Sequence, residues 1–104
     1  MTALKFVSTR GAAPALDLAE VTLAGLARDG GLYVPAEWPV FSAEQIAAMA
    51  GLSYAELAVA VMTPFVADTI APKDFARLVG EAYGHFDHRA VTPLRQSGAD
   101  EWVL

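Results

Sequence analysis

The 104-residue sequence contains no cysteine, few basic side chains and no long hydrophobic run. The absence of cysteine excludes disulfides, thiolate nucleophiles and cysteine-ligated metals within these residues. Seven Lys and Arg against twelve Asp and Glu give a net charge of -5, which is the wrong sign for binding nucleic acid. The longest apolar stretch, residues 57–67, is interrupted by Thr63 and Pro64 and is far shorter than the ~20 residues of a membrane-spanning helix. We therefore expect neither a nucleic-acid partner nor a membrane.

Hydrophobic residues, in contrast, make up 55% of the sequence, and charged residues make up only 18%. This composition argues against disorder, because it supplies enough apolar surface to offset the entropy lost on folding. The length allows one small domain. Because small domains bury a smaller fraction of their surface than large ones, so apolar a sequence predicts that part of this surface packs against something else.

The first third of the sequence predicts a strand, a helix and a second extended segment. Residues 4–8 alternate apolar and polar side chains, as a short strand does. Asp17 and Glu20 have the spacing of a capping box, which starts a helix whose apolar face continues to residues 29–31. We expect the two glycines there to end the helix and at least one of them to have positive φ, before residues 32–35 extend.

Two more capping boxes predict the next two helices. Ser42 is followed by Gln45 and Ser53 by Glu56, each pair ahead of apolar residues at helical spacing. The second of these helices is expected to stop before Pro64, because proline removes a backbone hydrogen bond inside a helix.

The last third predicts a fourth helix and a β-hairpin. Pro72 suits the first turn of a helix, and apolar residues follow it at helical spacing over residues 75–82. Residues 91–94 and 102–104 are then expected to form two strands around a polar turn at 96–100. The fold class is thus α+β: a mostly helical small domain with about four short helices around one small sheet, made from the segments near Phe6 and Tyr33 and the C-terminal hairpin.

The sequence offers little catalytic chemistry. Ser42 and Ser53 are best explained as helix caps, and no nucleophile-elbow pattern surrounds any serine. His85, Asp87 and His88 lie close together, but they lack the spacing of a metal motif, and we expect no metal. The glycines after Asp29 lack the lysine and the full glycine pattern of a phosphate-binding loop.

Two segments carry a family resemblance. Residues 6–11 read FVSTRG, and residues 25–35 read GLARDGGLYVP. Their order and spacing resemble the opening of bacterial and fungal threonine synthases, and the similarity continues over nearly the whole chain through residues 38–39, 54–56, 64–66, 81–83 and 91–94. The sequence is therefore identified as a member of the threonine synthase N-terminal domain family.

This resemblance implies a cytoplasmic lyase of threonine biosynthesis that uses pyridoxal phosphate to convert O-phosphohomoserine and water into threonine and phosphate. It divides the chain into residues 1–88, the N-terminal domain, and residues 89–104, a hairpin leading into the cofactor domain. In the family a G-P-T-x-x-F-K-D motif with the cofactor-binding lysine follows shortly after a segment like residues 101–104, and these 104 residues do not contain it. No catalytic or cofactor-binding residue is therefore assigned, no cofactor is expected on this chain alone, and its role is expected to be structural. The alternative is a free-standing, non-catalytic interaction module with the same domain.

The resemblance also suggests which residues face the active-site cleft from outside. These residues are Ser8, Thr9, Arg10, Asp29, Gly30, Gly31 and Tyr33. Arg10 could attract an anionic substrate, but pairing with a carboxylate of the same domain, such as Asp29, is the interpretation we favour. Tyr33 is interpreted as a partly buried aromatic residue whose hydroxyl binds a backbone group.

The apolar residues 102–104 carry one further expectation. They are predicted to belong to a strand that continues into the catalytic part of the polypeptide, whose other domains would be the partners of this one. With that strand edge open to solvent, the isolated chain is expected to associate with itself.

Overall fold

The computed structural model describes residues 3–104 and has a mixed α+β architecture, as the sequence predicted. The elements in chain order are β1 (Phe6–Ser8), α1 (Leu18–Ala24), β2 (Tyr33–Pro35), α2 (Ala43–Ala48), α3 (Tyr54–Val66), α4 (Pro72–Gly84), β3 (Arg95–Gly98) and β4 (Glu101–Val103). Within the described residues, no helix is long and apolar enough to cross a membrane.

Strands β1 and β2 pair antiparallel, so that Phe6 lies opposite Pro35 and Ser8 lies opposite Tyr33. Leu16 extends this pairing through two backbone hydrogen bonds with Phe6, of 2.8 and 3.0 Å. Phe6 is buried at 7% exposure, and Ala27 in the loop before β2 is buried at 4%. Phe6 and Ala27 are therefore the buried hydrophobic residues of the first third of the chain.

The three predicted capping boxes are all confirmed. Asp17 caps α1, Ser42 caps α2 and Ser53 caps α3, and in each box the third helical residue reaches back to the cap backbone. These contacts span only three residues, which is why the sequence alone was enough to locate the helix starts.

The predicted end of α1 at residues 29–31 is wrong. The helix stops at Ala24, and Gly25 closes it with φ 70° while its N–H donates to the carbonyl of Val21 at 3.0 Å. The prediction placed the end too late because Leu26 and Ala27 continue the apolar pattern although they belong to the loop after the helix. Gly30 does have positive φ, at 83°, as expected, but it serves that loop and not the helix end.

The predicted stop of α3 before Pro64 is also wrong, since the helix continues through Pro64 to Val66. Proline removes one N–H donor, and the loss is confined here to the last turns of the helix. In the turn that contains the proline, Phe65 is half-buried and contacts Trp38 edge to face, with ring centroids 6.4 Å apart.

Helix α4 begins at Pro72, as predicted, and packs on α3. It buries Phe75 and Val79 at 8% and 5% exposure. Tyr83 near its end lies against Tyr54 of α3, with ring centroids 4.9 Å apart. This helix pair contains the second group of buried hydrophobic residues.

The C-terminal hairpin is shifted from its predicted position. Residues 91–94 are not a strand, because Pro93 has no N–H for a ladder and Val91 takes φ 61° in a turn. The first strand is instead the polar segment β3, which pairs with β4 across a two-residue loop, so that Gly98 lies opposite Glu101. The expected single sheet is thus two separate two-stranded sheets, β1–β2 and β3–β4.

Candidate functional site

The β1–β2 pairing brings the predicted site residues together. Ser8 ends β1 and Tyr33 begins β2, and these two residues face each other in the register. The turn after β1 and the loop before β2 therefore leave the sheet at the same end. We call these two segments, residues 8–12 and 29–32, the paired loops.

Asp29 is the hydrogen-bonding centre of the paired loops. The hydroxyl of Ser8 lies 2.7 Å from Oδ1 and 2.8 Å from Oδ2. The backbone N–H of Gly31 donates to Oδ1 and that of Ala12 donates to Oδ2, both at 2.9 Å. Ser8 itself is buried at 6% exposure and also accepts a hydrogen bond from the backbone N–H of Arg10 at 3.1 Å. One carboxylate thus connects both loops.

These contacts hold the pKa of Asp29 below its ordinary value. The largest cause is the hydrogen bond from the Gly31 backbone, followed by the Ser8 hydroxyl, with a smaller contribution from Ala12. Partial desolvation acts in the opposite direction but is outweighed. Asp29 is therefore ionised at neutral pH, where it acts as a hydrogen-bond acceptor that fixes backbone positions and not as a proton donor.

Arg10 does contact Asp29, but not in the way expected. Its Nη1 donates to the backbone carbonyl of Asp29 at 3.1 Å, whereas the carboxylate is occupied by Ser8 and by backbone N–H groups. The predicted pairing of Arg10 with the Asp29 carboxylate is therefore wrong. Because the side chain is exposed, its guanidinium lies on the outer surface of the paired loops, where an anion can approach it.

Thr9 joins the two loops on the side of the β1–β2 pair. Its backbone N–H donates to the carbonyl of Leu32 at 2.8 Å, and its hydroxyl oxygen accepts from the N–H of Leu32 at 3.0 Å. Gly30 and Gly31 permit the two loops to approach each other closely, because neither has a Cβ. A Cβ at Gly30 would lie 2.5 Å from Nη1 of Arg10, and one at Gly31 would collide with the hydroxyl of Ser8.

Tyr33 is half-buried, and its hydroxyl donates to the carbonyl of Pro14 at 3.1 Å. This confirms the interpretation that the hydroxyl binds a backbone group. The carbonyl of Pro14 and the N–H of Ala12 were missed by the sequence reasoning, since backbone groups leave no signal in the residue types.

The histidine segment does not join this site. Within residues 3–104, no group of three or more His, Cys, Asp and Glu side chains could hold a metal ion. His88 instead accepts a hydrogen bond at Nδ1 from the N–H of Ala90 at 3.0 Å.

The paired loops do not provide the surroundings that pyridoxal phosphate requires. A lysine that forms a Schiff base is activated by desolvation or by a neighbouring cation. Lys5 and Lys73 are both exposed, and neither contributes a hydrogen bond to the Asp29 network. The described residues therefore do not fit the cofactor.

Comparison with known proteins gives the family. The model of the family described as "Threonine synthase N terminus" matches residues 5–83. Threonine synthase of Pseudomonas aeruginosa is 56% identical over 101 residues, which are 97% of this chain and 22% of that protein. Threonine synthase of Methylobacillus glycogenes is 42% identical over 80 residues, which are 77% of this chain and 17% of that protein.

A solved threonine synthase structure is also similar to this chain. The crystal structure of threonine synthase from Brucella melitensis with bound pyridoxal phosphate superposes with a TM-score of 0.86 and 57% identity, over 97% of this chain and 22% of that one. The chain thus spans about a fifth of the length of the relatives it matches.

Proposed function

Because the chain belongs to the threonine synthase N-terminal family, we propose that it is the N-terminal domain of a pyridoxal-phosphate-dependent threonine synthase. That enzyme would convert O-phosphohomoserine and water into threonine and phosphate in the cytoplasm. The observation that carries the proposal is the 56% identity to a threonine synthase over 97% of this chain. Pyridoxal phosphate would supply an electron sink for the carbanion chemistry, bound by parts of the polypeptide outside these residues.

The paired loops are proposed to face the substrate cleft from this domain. Their contribution would be positional: the ionised Asp29 fixes Ser8, Ala12 and Gly31, and the resulting loop geometry places the guanidinium of Arg10 on the outer surface. A cation at that position would attract the phosphate of O-phosphohomoserine toward the cleft. The residues proposed to face the cleft remain Ser8, Thr9, Arg10, Asp29, Gly30, Gly31 and Tyr33.

The test is release of inorganic phosphate from O-phosphohomoserine by the full-length protein with pyridoxal phosphate. Phosphate release with equimolar threonine formation is the expected result. Inactivity of the cofactor-loaded full-length protein toward this substrate would show that the assignment is wrong.

The same assay tests the role proposed for Arg10. We expect Arg10→Ala to raise KM by about tenfold with kcat little changed, as removal of uniform substrate binding does. Arg10→Lys, which keeps the charge, should recover part of the loss. Arg77→Ala is the matched control, because Arg77 is an exposed arginine on α4 whose partner is Glu81 at 3.0 Å. Equal KM values for Arg10→Ala and Arg77→Ala would remove Arg10 from the cleft.

A further inference from the structure

A continuous apolar surface covers one side of helices α2 and α3. Its residues are Phe41, Ile46, Met49, Tyr54, Leu57 and Val61. We call this surface the α2–α3 face. Two hollows lie along it: one of 410 Å³ between the α2 region and α3, and one of 260 Å³ that α3 shares with Tyr83 of α4. The side chains lining both hollows include none that is charged. Ile46 is 60% exposed and Val61 is 41% exposed, so large aliphatic side chains are left in contact with water.

The shape of the α2–α3 face fits a helix. Leu57 and Val61 are four residues apart on α3 and line both hollows. They form a ridge with a hollow on either side. Helices pack by placing such a ridge into the groove between the side-chain rows of a partner helix. The apolar character of the hollows requires that the partner helix present an apolar stripe.

The whole chain also has more surface than a domain of its size should expose. It exposes 7856 Å², whereas a globular monomer of this length exposes about 5,600 Å². Its radius of gyration is 16.7 Å, compared with about 13 Å for a compact domain of 100 residues. The excess area is comparable with that of large permanent interfaces.

We propose that the α2–α3 face is the docking site for an amphipathic helix from the same polypeptide, outside these 104 residues. This inference rests on the proposed function, because the matched relatives carry about four-fifths of their length outside the matched region. A tethered helix has an effective concentration in the millimolar range, which a second copy reaches only at high protein concentration. A second copy would also have to approach against the repulsion of two chains of net charge -5.

Cysteine labelling of the full-length protein tests this docking directly. Ile46→Cys places a thiol on the α2–α3 face, and Ala47→Cys places one at the next position of the same helix, which is exposed and does not line either hollow. The rate of maleimide labelling of each variant is read by peptide mass spectrometry, relative to the urea-unfolded protein. We expect the thiol at position 46 to react about tenfold more slowly than the thiol at position 47, because labelling requires the docked helix to open.

The outcomes are separable. Equal labelling rates at positions 46 and 47 would overturn the proposal, and so would protection of position 46 that disappears on dilution, because dilution dissociates a second copy but not a tethered helix. A photo-crosslinking residue at position 46 should crosslink within the same chain, to a segment beyond residue 104. Crosslinks to another copy would count against the proposal. If the protein releases phosphate but the thiol at position 46 labels freely, the docking site is wrong and the proposed function stands. If the thiol at position 46 is protected but the protein releases no phosphate, the docking site stands and the proposed function is wrong.

A lysine pair excludes the case in which cysteine at position 46 itself weakens docking. We expect Ile46→Lys to speed cleavage of the full-length protein by a protease that does not cut at lysine, while Ala47→Lys leaves the rate unchanged. A docked helix would remove water from a lysine at position 46, which is costly for a charged group, but not from a lysine at position 47. Equal cleavage rates for the two variants would contradict the proposal.

Discussion

At the scale of single residues, the two oxygens of Asp29 have different partners. Oδ1 accepts from the N–H of Gly31 and Oδ2 accepts from the N–H of Ala12, while the Ser8 hydroxyl lies close to both. An amide in this position has only one acceptor oxygen. Whichever way the amide is turned, its NH₂ group must face a backbone N–H donor.

We therefore predict that Asp29→Asn lowers the free energy of unfolding at neutral pH, because one backbone N–H group loses its acceptor. Urea unfolding of the 104-residue chain, followed by tryptophan fluorescence, measures this loss. Asp68→Asn is the control, because Asp68 is an exposed carboxylate outside the paired loops.

The same variant should also change the pH dependence of stability. The folded pKa of Asp29 is lowered from 3.8, so its stabilisation is fully present above that value and is lost as the pH falls through the folded pKa. Asp29→Asn should flatten this acid-side loss. If the wild type and the variant lose stability in parallel on acidification, Asp29 is not the group responsible.

Only part of this site could be predicted from the sequence. The resemblance placed Ser8, Arg10 and Asp29 in one group, and the structure brings them into contact although Ser8 and Asp29 are 21 residues apart. The hydrogen-bond pattern was not predictable, because two of its donors are the backbone N–H groups of Ala12 and Gly31. Charge alone suggested an ion pair for Arg10, but the carboxylate was already satisfied by neutral donors.

At the scale of elements, the helix starts were predictable, whereas the ends of α1 and α3 were not. A capping box is a contact between residues three apart, so Ser42 and Ser53 locate their helices without knowledge of the fold. The ends were harder to predict: Gly25 closes α1 inside an apolar pattern that runs past it, and α3 continues through Pro64 to Val66. Strand β3 was missed because its exposed, polar residues have no apolar alternation.

Two glycine-to-alanine substitutions should have opposite signs. Gly80 lies inside α4, and an added Cβ would meet no atom within 4 Å. Gly80→Ala should therefore raise the free energy of unfolding by about 0.5 to 1 kcal/mol through helix propensity. Gly30→Ala should lower it by about 1 to 2 kcal/mol, because φ is 83° and alanine is strained there.

Both effects are measured by urea unfolding under one set of conditions, so each variant is the control for the other. The contact of the new Cβ with Arg10 adds little at Gly30, because the long arginine side chain can move away. Stabilisation by Gly30→Ala would show that the loop relaxes to negative φ.

At the scale of the whole molecule, two small cores leave most large apolar side chains partly exposed. Phe6 and Ala27 are buried in the first third of the chain, and Phe75 and Val79 are buried on α4, which packs on α3. The spacing of apolar residues and the capping boxes predicted the mixed α+β class, and the apolar composition predicted that part of the surface packs against something else. The sequence could not show that the two sheets are separate, because strand pairing over long separations is not encoded locally.

We predict that the isolated 104-residue chain associates with itself, as the exposed hairpin leads one to expect. Trp102, Val103 and Leu104 are 57%, 55% and 79% exposed. Static light scattering across a concentration series should show a mass above that of the monomer, and Trp102→Lys should reduce it by placing a charge on the strand. Ser97→Lys, on the neighbouring strand, adds the same charge without removing apolar surface. A monomer at all concentrations would contradict this prediction.

The separation of the two sheets also sets an order of events during folding. Strands β3 and β4 meet across two residues and can close within microseconds, as isolated hairpins do. The β1–β2 pair must instead join Ser8 to Tyr33 across a long intervening segment that includes α1, which costs far more chain entropy before any contact forms. The helices and the hairpin should therefore appear early, and the paired loops should assemble last. Until that final step Asp29 remains hydrated, so a nascent or partly refolded chain contains most of its secondary structure before it contains its site.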